Sequence, residues 1–161
     1  MGTADTVTLR EAALSVTIGL RGKRAMSVSN KVILQRLFEK IYNEGDLQVA
    51  DEIMADGFVN HNPGPGEASG REGFKAFVAY LRRAFADFQI TVEDQVAEGD
   101  KVVTRFTISG RHEGEFAGFP PSGTLVSVPA IALHRIVDGQ IWEGWFNWDA
   151  LGLMQQLRSS D

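Results

Sequence analysis

The 161-residue chain contains no cysteine. That excludes disulfides, thiolate catalysis, cysteine-based zinc sites and iron–sulfur clusters. It fits a reducing compartment, so a cytoplasmic location is expected. Long apolar runs are also missing. None approaches the roughly 18 residues that a membrane-spanning helix needs. Basic residues are in the minority, with 16 Lys and Arg against 21 Asp and Glu and a net charge of −5. No dense basic cluster offsets that balance, which argues against nucleic acid and against an anionic membrane surface as partners. The phosphate-cradling glycine patterns of dinucleotide and nucleoside-triphosphate sites are absent, as is the G-x-S-x-G nucleophile elbow. The three histidines, His61, His112 and His134, stand in separate contexts without metal-ligand spacing, so no metal site is expected.

What is present reads as one soluble α+β domain. Hydrophobic residues make up 43% and charged residues 23%, an ordinary globular balance. Residues 1–25 read as an N-terminal extension, and residues 26–161 as the domain. In the extension the basic cluster Arg21, Lys23 and Arg24 follows the apolar stretch, the reverse of an export signal. The alternation Leu14–Ser15–Val16–Thr17–Ile18 predicts a short strand there. Ile33, Leu34, Leu37, Phe38 and Ile41 form a stripe at three-to-four spacing and predict a helix over 31–44, stopped by Gly45. A short helix follows Asp46, then an extended piece at Phe58–His61, then the breaker-rich NPGPGEASG. A third helix is predicted over 71–85. The period then drops to two, predicting strands over 89–97, 101–111, 124–137 and 140–148, the last two joined by an Asp138–Gly139 hairpin. A helix over 150–157 ends the series. Helices followed by a meander of long strands predict a curved antiparallel sheet, cone-shaped, covered by three N-terminal helices.

Such a cone leaves an inner pocket, so inward polar residues are the informative ones. On the last strand Glu143, Trp145, Asn147 and Asp149 share one face, and Trp142, Gly144, Phe146 and Trp148 the other. Both faces carry rings, and alternation alone does not choose between them. Ala130, Ala132 and His134 share a face of the preceding strand, the alanines leaving room beside the imidazole. Asp149 has two readings that do not exclude each other. It is a favoured N-cap for the final helix. In an apolar pocket it would also be a carboxylate whose raised pKa suits proton transfer.

Three stretches carry a resemblance: YNEGDLQVADEIMADGFVNHNP, GREGFKAFVAYLRRAFADFQITVEDQVAEGDKVVTRFTISGRHEGEFAGFPPSG and HRIVDGQIWEGWFNWDALGLMQQL. Together they resemble the SnoaL-like polyketide cyclases, or ester cyclases, of the nuclear-transport-factor-2-like superfamily. The resemblance runs from about Asn30 to Leu157 and leaves the N-terminal extension outside. It implies a cofactor-free enzyme that closes a ring in a polyketide ester by intramolecular aldol condensation, and a small hydrophobic, polyketide-like substrate. It implies Asp149 as the general acid/base and His134 as its supporting partner. Tyr42, His61, Trp145 and Asn147 would line the pocket, and His112 matches a recurring family motif. A homodimer is expected, which the rings on both faces of the last strand also suit. One departure stands out: where many relatives carry His, this chain has Gly144. The alternatives are a non-catalytic module for a small hydrophobic ligand, and an isomerase or epoxide hydrolase on the same scaffold. An epoxide hydrolase would require a carboxylate–Arg–carboxylate relay, for which Arg105 and Arg135 are the candidate cations.

Overall fold

The apolar stripe around Leu34, Leu37, Phe38 and Ile41 is buried along one side of a long N-terminal helix. In the computed structural model, which describes residues 4–158, helix α1 runs Ala4–Arg36 and continues as a π-helical stretch, Leu37–Glu44. Gly45, at φ 80°, ends the stretch, and the Asp46 N–H reaches back to the Lys40 carbonyl at 2.9 Å. Terminal carbonyls of a helix need outside donors. Here Arg82 Nη1 supplies them, donating to the Tyr42 and Asn43 carbonyls at 2.8 and 2.6 Å. The Asn43 side chain donates to the Ile90 carbonyl and accepts the Ile90 N–H, fixing this helical end against the sheet.

The rest follows in the order α2 (Val49–Ile53), β1 (Met54–Asn60), α3 (Gly70–Ala84), β2 (Phe85–Glu98), β3 (Lys101–His112), β4 (Leu125–Val137), β5 (Gln140–Trp148) and α4 (Ala150–Arg158). The sheet order is β1-β5-β4-β3-β2. Four strands form the antiparallel meander that period two predicts. β1 joins the edge parallel to β5, an arrangement the meander reading did not contain. Asp138 and Gly139, with φ 48° and 78°, make the tight hairpin that pairs Val137 with Gln140 and Ile136 with Ile141, and a one-residue break then shifts the register to Arg135 with Glu143 and His134 with Gly144. Breaks in register within β2 and between β4 and β5 increase the local twist and curl the sheet. The core fills the concave side, between the sheet and the helices. The α+β, cone-like architecture with a short C-terminal helix agrees with the expectation.

The extension differs from expectation. Residues 14–18 are helical, not a strand. Leu14, Val16, Ile18 and Leu20 are all exposed. A strand requires a neighbouring strand for its backbone groups, and the five-stranded sheet of the described residues does not include this segment. A helix satisfies them within itself. Residues 1–3 of the expected extension and 159–161 at the far end lie outside the described residues.

Candidate active site

Strand alternation sorts the sheet's side chains into two environments. Gly144, Phe146 and Trp148 of β5 face the concave side, with Ala130, Ala132 and His134 opposite them on β4. A pocket opens here with about 800 Å³ of empty space, part of it continuous with solvent. Its walls are mostly rings and branched chains, among them Phe77, Phe85, Phe88, Phe106, Phe116 and Trp148. Tyr42, Asn60, Asn62, Glu67, Ser109 and Asn147 supply its polar groups. A largely apolar cleft with few polar groups is the usual form of a small-molecule site.

Tyr42 is delivered by the π-helical stretch and is buried, its ring between Phe38, Phe74 and Phe88. Burial, seconded by the negative charge of Glu67, pushes its hydroxyl pKa above the ordinary phenol value. The group therefore stays protonated and can donate a hydrogen bond. Glu67 comes from the β1–α3 loop, whose proline and glycines gave no sign of a pocket wall. Its oxygens accept from Asn60 Nδ2 at 2.9 Å and from the Gly64 N–H at 2.8 Å. Phe116, from the GEFAGFPPSG loop, was likewise not anticipated. It reaches the pocket because the Glu113 and Gly114 N–H groups both donate to the Ala84 carbonyl, and Tyr80 Oη accepts from the Ala117 N–H.

Asp149 caps α4. Its Oδ1 accepts the Gly152 N–H at 2.7 Å, and the residue is exposed. A Cβ at position 152 would lie 2.1 Å from Oδ2, so only glycine leaves the carboxylate room there. Asp149 itself does not line the pocket, but Trp148 before it and Leu153 after it both do. His134 lies deeper on the concave side. It is fully buried, and neither ring nitrogen has a hydrogen-bond partner. Burial pushes its pKa down to about 3, so the ring is neutral at physiological pH. Phe146 packs edge-on against it at 5.1 Å and Phe38 at 6.3 Å. Along β4, His134 is four residues from Ala130, which pairs with Trp148, a separation of about 13 Å by strand rise.

The other expected residues are dispersed. Asn147 contributes to the pocket wall. Trp145 lies on the convex face, its ring stacked on His61 at 4.4 Å. His61 Nε2 donates to Glu143 Oε2 at 2.8 Å, and Arg135 Nε donates to Oε1 at 2.6 Å. His112 is buried at the end of β3, where its Nδ1 accepts the Ser122 N–H at 3.3 Å and meets Ser122 Oγ at 3.0 Å. It ties the two ends of the Phe116 loop together and is not part of the pocket wall. Burial lowers its pKa, with the Gly114 carbonyl and the Glu115 charge acting the other way. Arg105 pairs with Asp94 and Arg135 with Glu143, so neither candidate cation for an epoxide relay is in the pocket wall. Among the described residues no cluster of His, Asp and Glu could hold a metal ion.

The model of the SnoaL-like polyketide cyclases matches residues 32–157. The chain belongs to the SnoaL-like polyketide cyclase family. It is 35% identical over 136 residues to the aklanonic acid methyl ester cyclase DnrD of Streptomyces peucetius, covering 81% of this chain and 92% of that one. It is 31% identical over 120 residues to the nogalonic acid methyl ester cyclase of Streptomyces nogalater, covering 72% and 88%. Among solved structures, TsrD from Streptomyces laurentii superposes with a TM-score of 0.74 at 34% identity, covering 82% of this chain and 96% of that chain. A SnoaL-like protein from Jannaschia gives 0.74 at 32% identity, covering 83% and 94%. The family expected from the sequence and the reading of the chain as a cyclase enzyme agree with these findings. In this SnoaL-like cyclase, α1 before residue 32 lies outside the family match.

Proposed function

We propose that the protein closes a ring in a polyketide ester by intramolecular aldol condensation, using its own side chains and no cofactor. The observation that carries the reading is an aromatic-walled pocket flanked by a carboxylate of which one oxygen is held by the helix cap and the other by no described residue. Asp149 Oδ1 holds the helix cap, whereas Oδ2 accepts no hydrogen bond from a described residue. A flat substrate seated against Trp148 would cover that carboxylate and exclude water from it. Asp149 then removes a proton from the carbon beside the ester carbonyl. The enolate carbon attacks a second carbonyl of the same molecule. One C–C bond forms, the attacked C=O becomes an alkoxide, and the Asp149 carboxylic acid returns the proton to it. Nothing is oxidised and no group leaves. The neutral Tyr42 hydroxyl suits donation to the substrate oxygen that gains charge. His134, without a hydrogen-bond partner and outside the pocket wall, is given no part in the step, although the resemblance implied a supporting role for it.

Glu67 is a rival carboxylate because it lines the pocket. Its two oxygens are both engaged, however, by Asn60 and by the Gly64 N–H, whereas Asp149 Oδ2 is not held by the cap. The two are separable by assay with aklanonic acid methyl ester, the compound in the name of the Streptomyces peucetius relative. Asp149→Asn keeps the cap and removes the base, and kcat should fall by about 10²–10⁴. Glu67→Gln should retain most of the turnover. Full activity of Asp149→Asn overturns the assignment, and tight binding without product by the wild type favours the ligand-binding alternative. The reading includes a homodimer in the cytoplasm. Val59, Val96, Leu125 and Ile131 are exposed on the convex face, a surface that a second sheet could cover. Sedimentation equilibrium tests the dimer directly.

A further inference from the structure

The pocket stops short of a fully buried polar group. Its wall includes Ala130 but neither Ala132 nor His134, the next two inward residues of β4. What intervenes is Phe146. In register Phe146 pairs with Ala132, and Gly144 pairs with His134. The Phe146 ring leans along β5 toward Gly144, where a Cβ would lie 2.9 Å from its Cε2 and 3.6 Å from His134 Cδ2. The same ring meets the imidazole edge-on at 5.1 Å and forms part of the pocket wall on its other side. The space that holds the ring exists because two positions beside it carry almost no side chain, Ala132 across from it on β4 and Gly144 two residues before it on β5.

An imidazole with both nitrogens unpaired is a costly occupant of such a place, since buried polar groups normally find partners. Among the described residues, His134 alone has two buried ring nitrogens without a partner, and the Phe146 ring packs between it and the pocket. We infer that Phe146 is a specificity-determining residue, a floor that sets the length of flat ligand the pocket accepts and keeps that ligand from His134. The identity of the ligand class rests on the cyclase reading, but the role of the ring is a matter of binding and requires no turnover. Shortening residue 146 joins the pocket to the imidazole and lengthens it. Adding a methyl group at 144 acts in the opposite direction, because the ring must then move toward the pocket.

Both directions can be read with two planar probes, anthraquinone with three fused rings and naphthacenequinone with four, titrated against the tryptophan fluorescence to which Trp148 contributes. The quantity is the ratio of the two affinities. Phe146→Ala should shift the ratio at least tenfold toward the four-ring probe, and Phe146→Leu by less. Gly144→Ala should shift it toward the three-ring probe. Side-chain nitrogen NMR supplies a readout that does not depend on the probes. The His134 signals should respond to the four-ring probe in Phe146→Ala and remain unmoved in the wild type. If Phe146→Ala fails to fold, the Leu and Gly144→Ala variants still give opposite shifts. An unchanged ratio in the folded variants overturns the inference, and so does a failure of all of them to bind either probe. Failure of the cyclase reading looks different, because Asp149→Asn would keep its turnover while the ratios still shifted.

Discussion

The two faces of the sheet hold histidine in opposite ways. On the concave face His134 is buried among Phe38 and Phe146 with no partner for either nitrogen. On the convex face His61 is exposed, stacked on Trp145 and bonded to a carboxylate that Arg135 also holds. Both sit within the β1-β5-β4 region, yet one is fixed by shape and the other by charge. The contrast shows what the cone is built for. Charged and hydrogen-bonding groups are satisfied where water can help, and the interior is kept apolar enough that a few unsatisfied groups become reactive or selective.

The contrast is most sharply tested by acid. The folded pKa of His134 is about 3, below its ordinary 6.5, so the unfolded chain binds the proton first. The imidazole is therefore compatible with folding above about pH 6.5, and stability is lost as pH falls from there toward 3. The full window corresponds to about 5 kcal/mol, and about 2 kcal/mol of it should be gone by pH 5. Urea unfolding of the wild type and His134→Leu at pH 7.5 and 5 isolates this loss, because other titrating groups are common to both. Equal pH slopes would mean that the imidazole reaches water or a hydrogen-bonding partner.

Next in size is the packing that encloses it. Phe38 touches Tyr42, Phe106 and His134, with ring centroids 6.1, 5.2 and 6.3 Å away. Phe38→Ala should cost about 3–5 kcal/mol in chemical denaturation, the usual result of emptying a ring-sized space in a core. A much smaller cost would show that the concave side collapses readily and is less rigid than the contrast requires.

The sequence made the helices legible because a stripe such as Leu34, Leu37, Phe38 and Ile41 has only one period that fits. Asp138–Gly139 likewise made the hairpin legible, but not the pairing of His134 with Gly144, which depends on the register break between Arg135 and Ile136. The orientation of β5 was not legible. Trp145 and Phe146 are both large rings, and hydrophobicity does not say which one turns inward. The parallel addition of β1 decides it, by setting Val59 and then His61 on the convex side with Glu143 and Trp145. Glu67 and Phe116 were missed because they stand in loops, where position depends on a few hydrogen bonds and not on periodicity. The coupling of Gly144 to Phe146 left only a faint trace, a missing side chain two residues from a large one.

The smallest effect belongs to the convex cluster. Glu143 accepts from both His61 and Arg135, and those bonds, His61 first, hold its carboxyl below the usual carboxylate range. Its contribution is therefore present at neutral pH and disappears as acid protonates it. All three side chains remain partly solvated, at 38% for His61, 25% for Glu143 and 30% for Arg135. Water can replace each bond that is lost, so Glu143→Gln should move the thermal midpoint by less than about 2 °C. Added salt should narrow even that gap, since screening weakens only the charged form. A drop as large as that of Phe38→Ala would mean that the convex face is held by shape as much as the concave one, and the division between the two faces would fail.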